Sequence, residues 1–239
     1  MAVDETLLES AIHLRTCTLR WYRWSEATLS LGYFQQADEA VEIPEFRSLP
    51  KVRRLSGGGA ILHHYEWTYS CALPCSEPSA IRPVELYAFI HEAIIAVLRR
   101  RGIRLCKRDQ VSGRQTEPFL CFGRADPNDV VLRGHKVLGS AQRRRRGAIL
   151  QHGALLLRRS PLAPQHLGIL DLSPDALFDR DLFRDVAFEI GHCLARDVVV
   201  GSLSQQEQNR IAELEQTRYR FLDWRKNKPS TARRRIRDD

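Results

Sequence analysis

The chain is short of the residues that mark fibrous, disulfide-stapled, zinc-binding or membrane-spanning proteins. Its 239 residues include only 14 glycines and 11 prolines, which excludes a collagen-like or low-complexity protein. No apolar run approaches the roughly 18 residues of a transmembrane helix, and neither end reads as a signal peptide, so the expectation is a cytoplasmic protein without a membrane partner. The six cysteines (Cys17, Cys71, Cys75, Cys106, Cys121, Cys193) never fall in CxxC spacing, which argues against a metal site and against a disulfide framework. Reduced thiols, mostly buried, are expected instead. Acidic residues are also scarce relative to basic ones, 29 against 37, a formal net charge of +8. The surplus gathers in "RRRG" at 99–102, "RRRR" at 143–146 and "ARRRIR" in the tail. No aromatic-interleaved reader motif accompanies these runs, so nucleic acid is not the expected partner.

What is present is ordinary globular composition, 43% hydrophobic and 28% charged, with one domain over 1–226 and a polar, disordered tail over 227–239 expected. Val3, Leu7, Ala11 and Leu14 fall at helical spacing, with Asp4 and Glu5 in the first turn, where the helix dipole favours negative charge. "TCTLRWYRW" and "ATLSLGYFQ" read as strands, as do "AILHH" and "WTYSCALP". Pro83, a face of Tyr87, Ile90, Ile94 and Leu98, and Gly102 delimit a long helix. Strands return over 119–157 in "FLCF", "DVVLRGHKVLGSAQ" and "GAILQHGALLL", with turns at Gly134 and Gly147. Two helices follow, one on Phe183, Val186, Ile190 and Leu194, one behind a Ser204/Glu207 capping box. The order α-β-β-α-β-β-β-α-α predicts an α+β domain.

"RRLSGGGAILHH" at 53–64 raises the sharpest question. Three glycines permit either a mobile turn or close approach of a ligand to bare backbone. No Lys-Ser/Thr follows at P-loop spacing, and GxGxxG is absent. Taken with "GHKVLGSAQ" at 134–142 and "LQHGALLL" at 150–157, the stretch resembles the biotin/lipoate protein ligase catalytic-domain family, within it the lipoate ligases and cysteine-dependent octanoyltransferases. The family pattern runs Arg-Arg-x-(Ser/Thr)-Gly-Gly-x-Ala, then Gly-x-Lys-x-x-Gly-Ser-Ala, then His-Gly. All three elements stand in order, and the resemblance covers most of the chain.

The resemblance implies a class II biotin/lipoyl-synthetase-like α/β domain with mixed sheets, its glycine loop and lysine strand walling a narrow acyl tunnel. It implies substrate contacts at Arg54, Ser56, Gly57, Gly58, Gly59, Ala60 and His63, and at Gly139, Ser140, Ala141, His152 and Gly153. In the octanoyltransferases a Cys-Phe pair precedes the motif lysine by a short segment, which maps the catalytic pair onto Cys121 and Lys136. A thiolate is the competent nucleophile for a thioester, and Lys136 would serve either as a stabilising ammonium or as a neutral amine that takes the thiol proton. Read without the motif, Cys121 is a small buried hydrophobe and Lys136 a solvated surface cation. His152 reads as a hydrogen-bonded wall residue ahead of a proton-transfer group.

Two chemistries remain open on this reading, with a noncatalytic acyl- or nucleic-acid-binding module as the lesser alternative. A transferase takes octanoate from an acidic acyl carrier protein through a Cys121 thioester, passes it to a lysine of a lipoyl domain or glycine-cleavage H protein, and needs no cofactor. A ligase activates lipoate with ATP and Mg2+. Gly59 stands where many cysteine-type transferases carry arginine, and "GRADPNDVV" echoes a ligase run, both of which pull toward ATP. His64 replaces an acidic residue often found after His63. Arg143, Arg144, Arg145 and Arg146, expected in a turn beside the tunnel mouth, would steer the acidic partners.

Overall fold

The computed structural model describes residues 1–75, 82–108, 118–179, 181–193 and 197–223. The expected tail over 227–239, and Leu194 of the expected helical face, lie outside the described residues.

Helix α1 (Ala2–His13) leads into strands β1 (Thr18–Tyr22) and β2 (Thr28–Leu31), then short helix α2 (Asp38–Glu42) and β3 (Lys51–Arg53). Strands β4 (Ile61–His63) and β5 (Glu66–Pro74) follow the glycine segment, and helix α3 spans Pro83–Arg100. Beyond it come β6 (Cys106–Lys107), β7 (Val130–Leu132), β8 (His135–Arg145) and β9 (Ala148–Leu156). Helices α4 (Ile169–Leu172), α5 (Leu182–Cys193) and α6 (Gln205–Leu214) complete the described chain. Six strands form an antiparallel sheet in the order β1-β5-β9-β8-β7-β6. The other three form a small mixed sheet, β3-β2-β4, with β2 parallel to β3 and antiparallel to β4. The α+β expectation, with mixed strand directions, is met.

Local sequence explains the hairpins on either side of β8. Arg133-Gly134 and Arg146-Gly147 each place two consecutive residues at positive φ (50° and 81°, 48° and 77°), the tight turn whose twist suits antiparallel strands. Strand β9 is buried at every position because both faces of the large sheet are covered. On one face Ile90, Ile94 and Leu98 of α3 and Val186 and Ile190 of α5 meet Val137, Ile149 and Leu155. Each such side chain contributes about 1.5–3 kcal/mol of burial. On the other, Leu7, Leu8 and Ala11 of α1 pack on Leu55, Ala72 and Leu150.

Three expectations change. Leu14 is largely exposed, and the buried side of α1 includes Asp4 and Glu5, which are neutralised by partners rather than by the helix dipole alone: Arg20 lies 2.8 Å from Asp4 and Arg145 2.7 Å from Glu5. "FLCF" is no strand; one bridge at Leu120 is followed by a 3-10 turn, Cys121–Gly123. The cysteines are free, but only Cys71 is buried, because Cys17, Cys106 and Cys193 sit at element ends or on the sheet edge.

Candidate active site

The Cys121 turn is anchored directly to the glycine segment. The amide of Ala60 donates to the Phe119 carbonyl at 2.9 Å, and the amide of Cys121 donates to the Ala60 carbonyl at 2.7 Å. Such a parallel bridge demands close backbones, and Gly59 permits it. A Cβ there would stand 2.7 Å from Arg124 Nε, 2.9 Å from the Phe119 carbonyl and 3.0 Å from the Cys121 amide nitrogen. Gly58 has φ +89°, a conformation a side chain would strain. The opening question therefore has a structural answer: the bare backbone admits the cysteine turn.

Lys136 reaches the same turn from the start of β8. The side chain is buried, and Nζ lies 2.8 Å from Asp129 Oδ1, 3.2 Å from the Cys121 carbonyl and 3.2 Å from the Arg124 carbonyl. Three acceptors match the three N–H donors of an ammonium, so this geometry leaves no lone pair to take a proton. Of the two roles open to Lys136, the arrangement fits the charged one. Burial pushes the Asp129 carboxyl above its ordinary range, outweighing the downward pull of Lys136. Gly139 makes the lysine path possible, since a Cβ there would lie 2.6 Å from Lys136 Cε.

A second cation lies behind the glycines. Arg54 is fully buried, donating to the carbonyls of Ser30, Gly57 and Gly59 at 2.6–2.8 Å and to Ser56 Oγ at 3.2 Å. Burial pulls its guanidinium down to about 10, while negative charge on Cys121 acts in the opposite direction. The carbonyls of Gly57 and Gly59 are thus occupied by Arg54.

The remaining motif residues divide between the two faces of the large sheet. Ser56 Oγ and His152 Nε2 are 2.5 Å apart, and His152 Nδ1 faces Asp4 Oδ2 at 3.5 Å. Burial holds His152 below the usual histidine range against the opposing effect of Asp4. His63 bonds Glu66 and stacks on Trp24 at 4.1 Å, so the acid absent from position 64 is supplied two residues later. His64 instead bonds Ser160 Oγ at 2.9 Å. Ser140 joins Tyr69 and His91, each at 2.6 Å, on the α3 side of the sheet, where Gly153 leaves room for Ser140 Oγ and the Tyr69 ring. Ala141 sits opposite His152 in the β8–β9 ladder.

Two small cavities lie between the sheets among the described residues. A cavity of about 10 Å³ lies among Arg54, His63, Thr68, His152 and Gly153, and one of about 20 Å³ among Ala60, Leu62, Leu120, Phe122, Leu156 and His166. Both are about the size of one water. A larger surface groove of about 650 Å³, lined by Phe46, Phe119, Leu120, Gly123, Leu162 and His166, opens beside the cysteine turn.

The arginine run also departs from expectation. Arg143, Arg144 and Arg145 are strand residues, and only Arg146 is in the turn. Nine residues of β8 separate Lys136 from Arg145, about 30 Å at strand rise. The run therefore lies at the far end of the strand from Cys121. Arg143 covers the Tyr33 ring at 5.1 Å and Arg145 pairs with Glu5, leaving Arg144 and Arg146 exposed.

Glycine segment, lysine strand and His-Gly strand are thus linked through the Cys121 turn, the Ser56–His152 contact and the β8–β9 ladder. The family profile "Lipoyl protein ligase A/B catalytic domain" matches residues 1–167. The chain belongs to this family. Among curated relatives, it is 38% identical to the octanoyltransferase LipM of Carboxydothermus hydrogenoformans over 66% of this chain and 60% of that protein. It is 39% identical to the LipM of Kyrpidia tusciae over 74% and 64%. The chain thus spans less than two thirds of the length of these two, whereas a match to the Moorella thermoacetica LipM, 31% identical, covers 95% of this chain and 93% of that one. The fold is shared with the bi-partite lipoate protein ligase of Thermoplasma acidophilum, whose study included its E2 lipoyl domain (TM-score 0.73, 20% identity, 93% and 89% covered). It is also shared with P. falciparum LipL1 in complex with lipoate (TM-score 0.64, 14% identity, 95% and 70% covered).

Within this lipoyl ligase-type domain, four site neighbours escaped the sequence reading: Glu66, Arg124, Asp129 and His166. Asp129 and Arg124 stood inside "GRADPNDVV", a run noticed only for its echo of ligases. His166 carried no motif signal. No described helix is long and apolar enough to cross a membrane, and no group of three or more His, Cys, Asp or Glu among the described residues is placed to hold a metal ion.

Proposed function

We propose that the chain is an octanoyltransferase that carries the acyl group on Cys121 and delivers it to a lysine of a lipoyl domain or glycine-cleavage H protein. The observation that carries the reading is the convergence of the half-buried Cys121 turn with the Lys136 ammonium, joined by a 3.2 Å contact and anchored on Gly59 and Ala60. Cys121 thiolate attacks the thioester carbonyl of an octanoyl carrier protein, the new C–S bond forms, and the carrier sulfur departs as a thiolate that takes up a proton from water. Lys136 Nζ holds the backbone of the cysteine turn through the Cys121 carbonyl, and Arg54 holds the glycine segment on which that turn is anchored. This reading needs no cofactor. Its relatives named octanoyltransferase LipM support it.

ATP-dependent lipoate ligation, with Mg2+, is the second reading, favoured by the glycine at position 59. Arg124 weakens that argument: its Nε lies 2.7 Å from where a Cβ of residue 59 would stand, so a guanidinium occupies the neighbourhood despite the glycine. Incubation with octanoyl carrier protein and no ATP, followed by mass spectrometry, separates the two. An octanoyl adduct on Cys121 is the expected result. Pyrophosphate release from ATP and free lipoate, with no adduct, would assign ligation instead.

A further inference from the structure

The transferase reading leaves one proton without a destination. An acceptor lysine arrives as an ammonium at neutral pH, with an ordinary pKa of about 10.4, and must lose a proton before it attacks. Lys136 does not serve as the base in this geometry, since its three donors are directed to Asp129, Cys121 and Arg124. The neighbouring imidazoles are engaged as well: His63 with Glu66, His64 with Ser160, His91 with Ser140 and Asn128, His152 with Ser56.

His166 differs from these four. Among the described residues its ring nitrogens have no hydrogen-bond partner, although its backbone amide is bonded to the Ala163 carbonyl at 3.2 Å. The ring lies 6.2 Å from the Phe122 ring, and its Cε1 is 3.8 Å from where a Cβ on Gly123 would stand, so it flanks the turn that begins at Cys121. It lines both the small apolar cavity beside Ala60 and the 650 Å³ groove that opens to solvent. The imidazole therefore stands where the groove runs beside the cysteine turn, along Leu120 and Gly123.

We infer that His166 is the general base that takes a proton from the acceptor lysine in the second half of the transfer. The inference rests on the Cys121 transferase reading. The lysine ammonium gives one proton to the imidazole, and the neutral amine attacks the thioester carbonyl of octanoyl-Cys121. A C–N bond forms, the C–S bond breaks, and a second amine proton returns to the cysteine sulfur as the adduct collapses. The third nitrogen-bound hydrogen stays on the amide, and the imidazolium releases its proton to water. Partial burial, and then the charge of Lys136, hold His166 below the ordinary histidine value of 6.5, so the ring is neutral and receptive at pH 7. The other ionisable or charged groups facing this space are His64, Tyr65 and Arg158 around the cavity and Glu45 along the groove.

The test begins with octanoyl-Cys121 enzyme prepared from octanoyl carrier protein, then supplies either a lipoyl domain or hydroxylamine, an amine already neutral at pH 7. In His166→Gln, transfer to the lipoyl-domain lysine should fall roughly 10²–10⁴-fold. Acylation of Cys121 and clearance by hydroxylamine should stay within a few-fold of wild type, and the deficit should shrink as pH rises toward the lysine pKa. In the wild-type enzyme, which raises no question of folding, transfer to lysine should level off near or below pH 6.5 instead of climbing through pH 9. Unchanged lysine transfer in His166→Gln, an equal loss with both amines, or a wild-type rate that keeps rising with pH would each overturn the role. Failure of the wild type to form any Cys121 adduct would instead refute the transferase reading beneath it.

Discussion

The two ends of β8 are both basic, and they teach opposite lessons about charge. At one end a single amine, Lys136, is buried, paired with Asp129 and bonded to two carbonyls of the cysteine turn. At the other, four arginines give a louder sequence signal, yet Arg145 is tied to Glu5, Arg143 covers an aromatic ring, and Arg144 and Arg146 face water. Charge density along the sequence is a poor guide to where charge matters, because a cation surrounded by water is screened whereas a buried one acts at close range through a lower dielectric.

Removing the proposed nucleophile should have the largest consequence. Cys121→Ala is expected to lower transfer by at least about 10³-fold, with no acyl adduct by mass spectrometry and an unchanged unfolding midpoint. Next is the partner of the buried amine. Asp129→Asn leaves the Lys136 ammonium without its carboxylate and should destabilise the fold by roughly 3–5 kcal/mol in urea titrations. A loss of under about 1 kcal/mol would place this pair with surface ion pairs and erase the contrast between the two ends.

Steric crowding sharpens the comparison further. Gly59→Ala should cost about 1–3 kcal/mol, since two of the three contacts its Cβ would make are with backbone atoms. The rate of Cys121 alkylation should change with it.

A pH effect of similar size belongs to His91, buried under Ser140. Burial lowers it to about 4, so the unfolded chain takes up that proton first as pH falls. Stability should therefore decline between about pH 6.5 and pH 4, by up to about 3 kcal/mol from this group. His91→Gln should flatten that part of the profile, as read from urea midpoints at successive pH values. The smallest effect is expected at the far end of β8. Arg144→Ser with Arg146→Ser should shift stability by no more than about 0.5 kcal/mol. Any influence on an acidic carrier should appear as a flatter salt dependence of KM, with kcat unchanged.

Much of the fold was legible because its signals are local. Pro83 and Gly102 delimit α3, Ser204 and Glu207 cap α6, and Gly134 and Gly147 set the hairpins through positive φ. The candidate site was legible through its motifs, which are contiguous stretches of chain. Its supporting partners were not. Asp129 lies seven residues before Lys136, Glu66 three after His63, and His166 forty-five after Cys121; only the β7–β8 hairpin and the return of the chain past Ser160 bring them to their places.

By itself, then, the amino-acid sequence determined the α+β class, the element ends and the three motif segments, because periodicity, capping and glycine conformation act over a few neighbouring residues. The tertiary structure alone decided that Gly59 serves the cysteine turn, that Lys136 Nζ meets three acceptors, and that the arginine run ends about 30 Å away. Those outcomes depend on which backbones approach within 3 Å and which charges leave water, and such distances arise only when remote segments share one core.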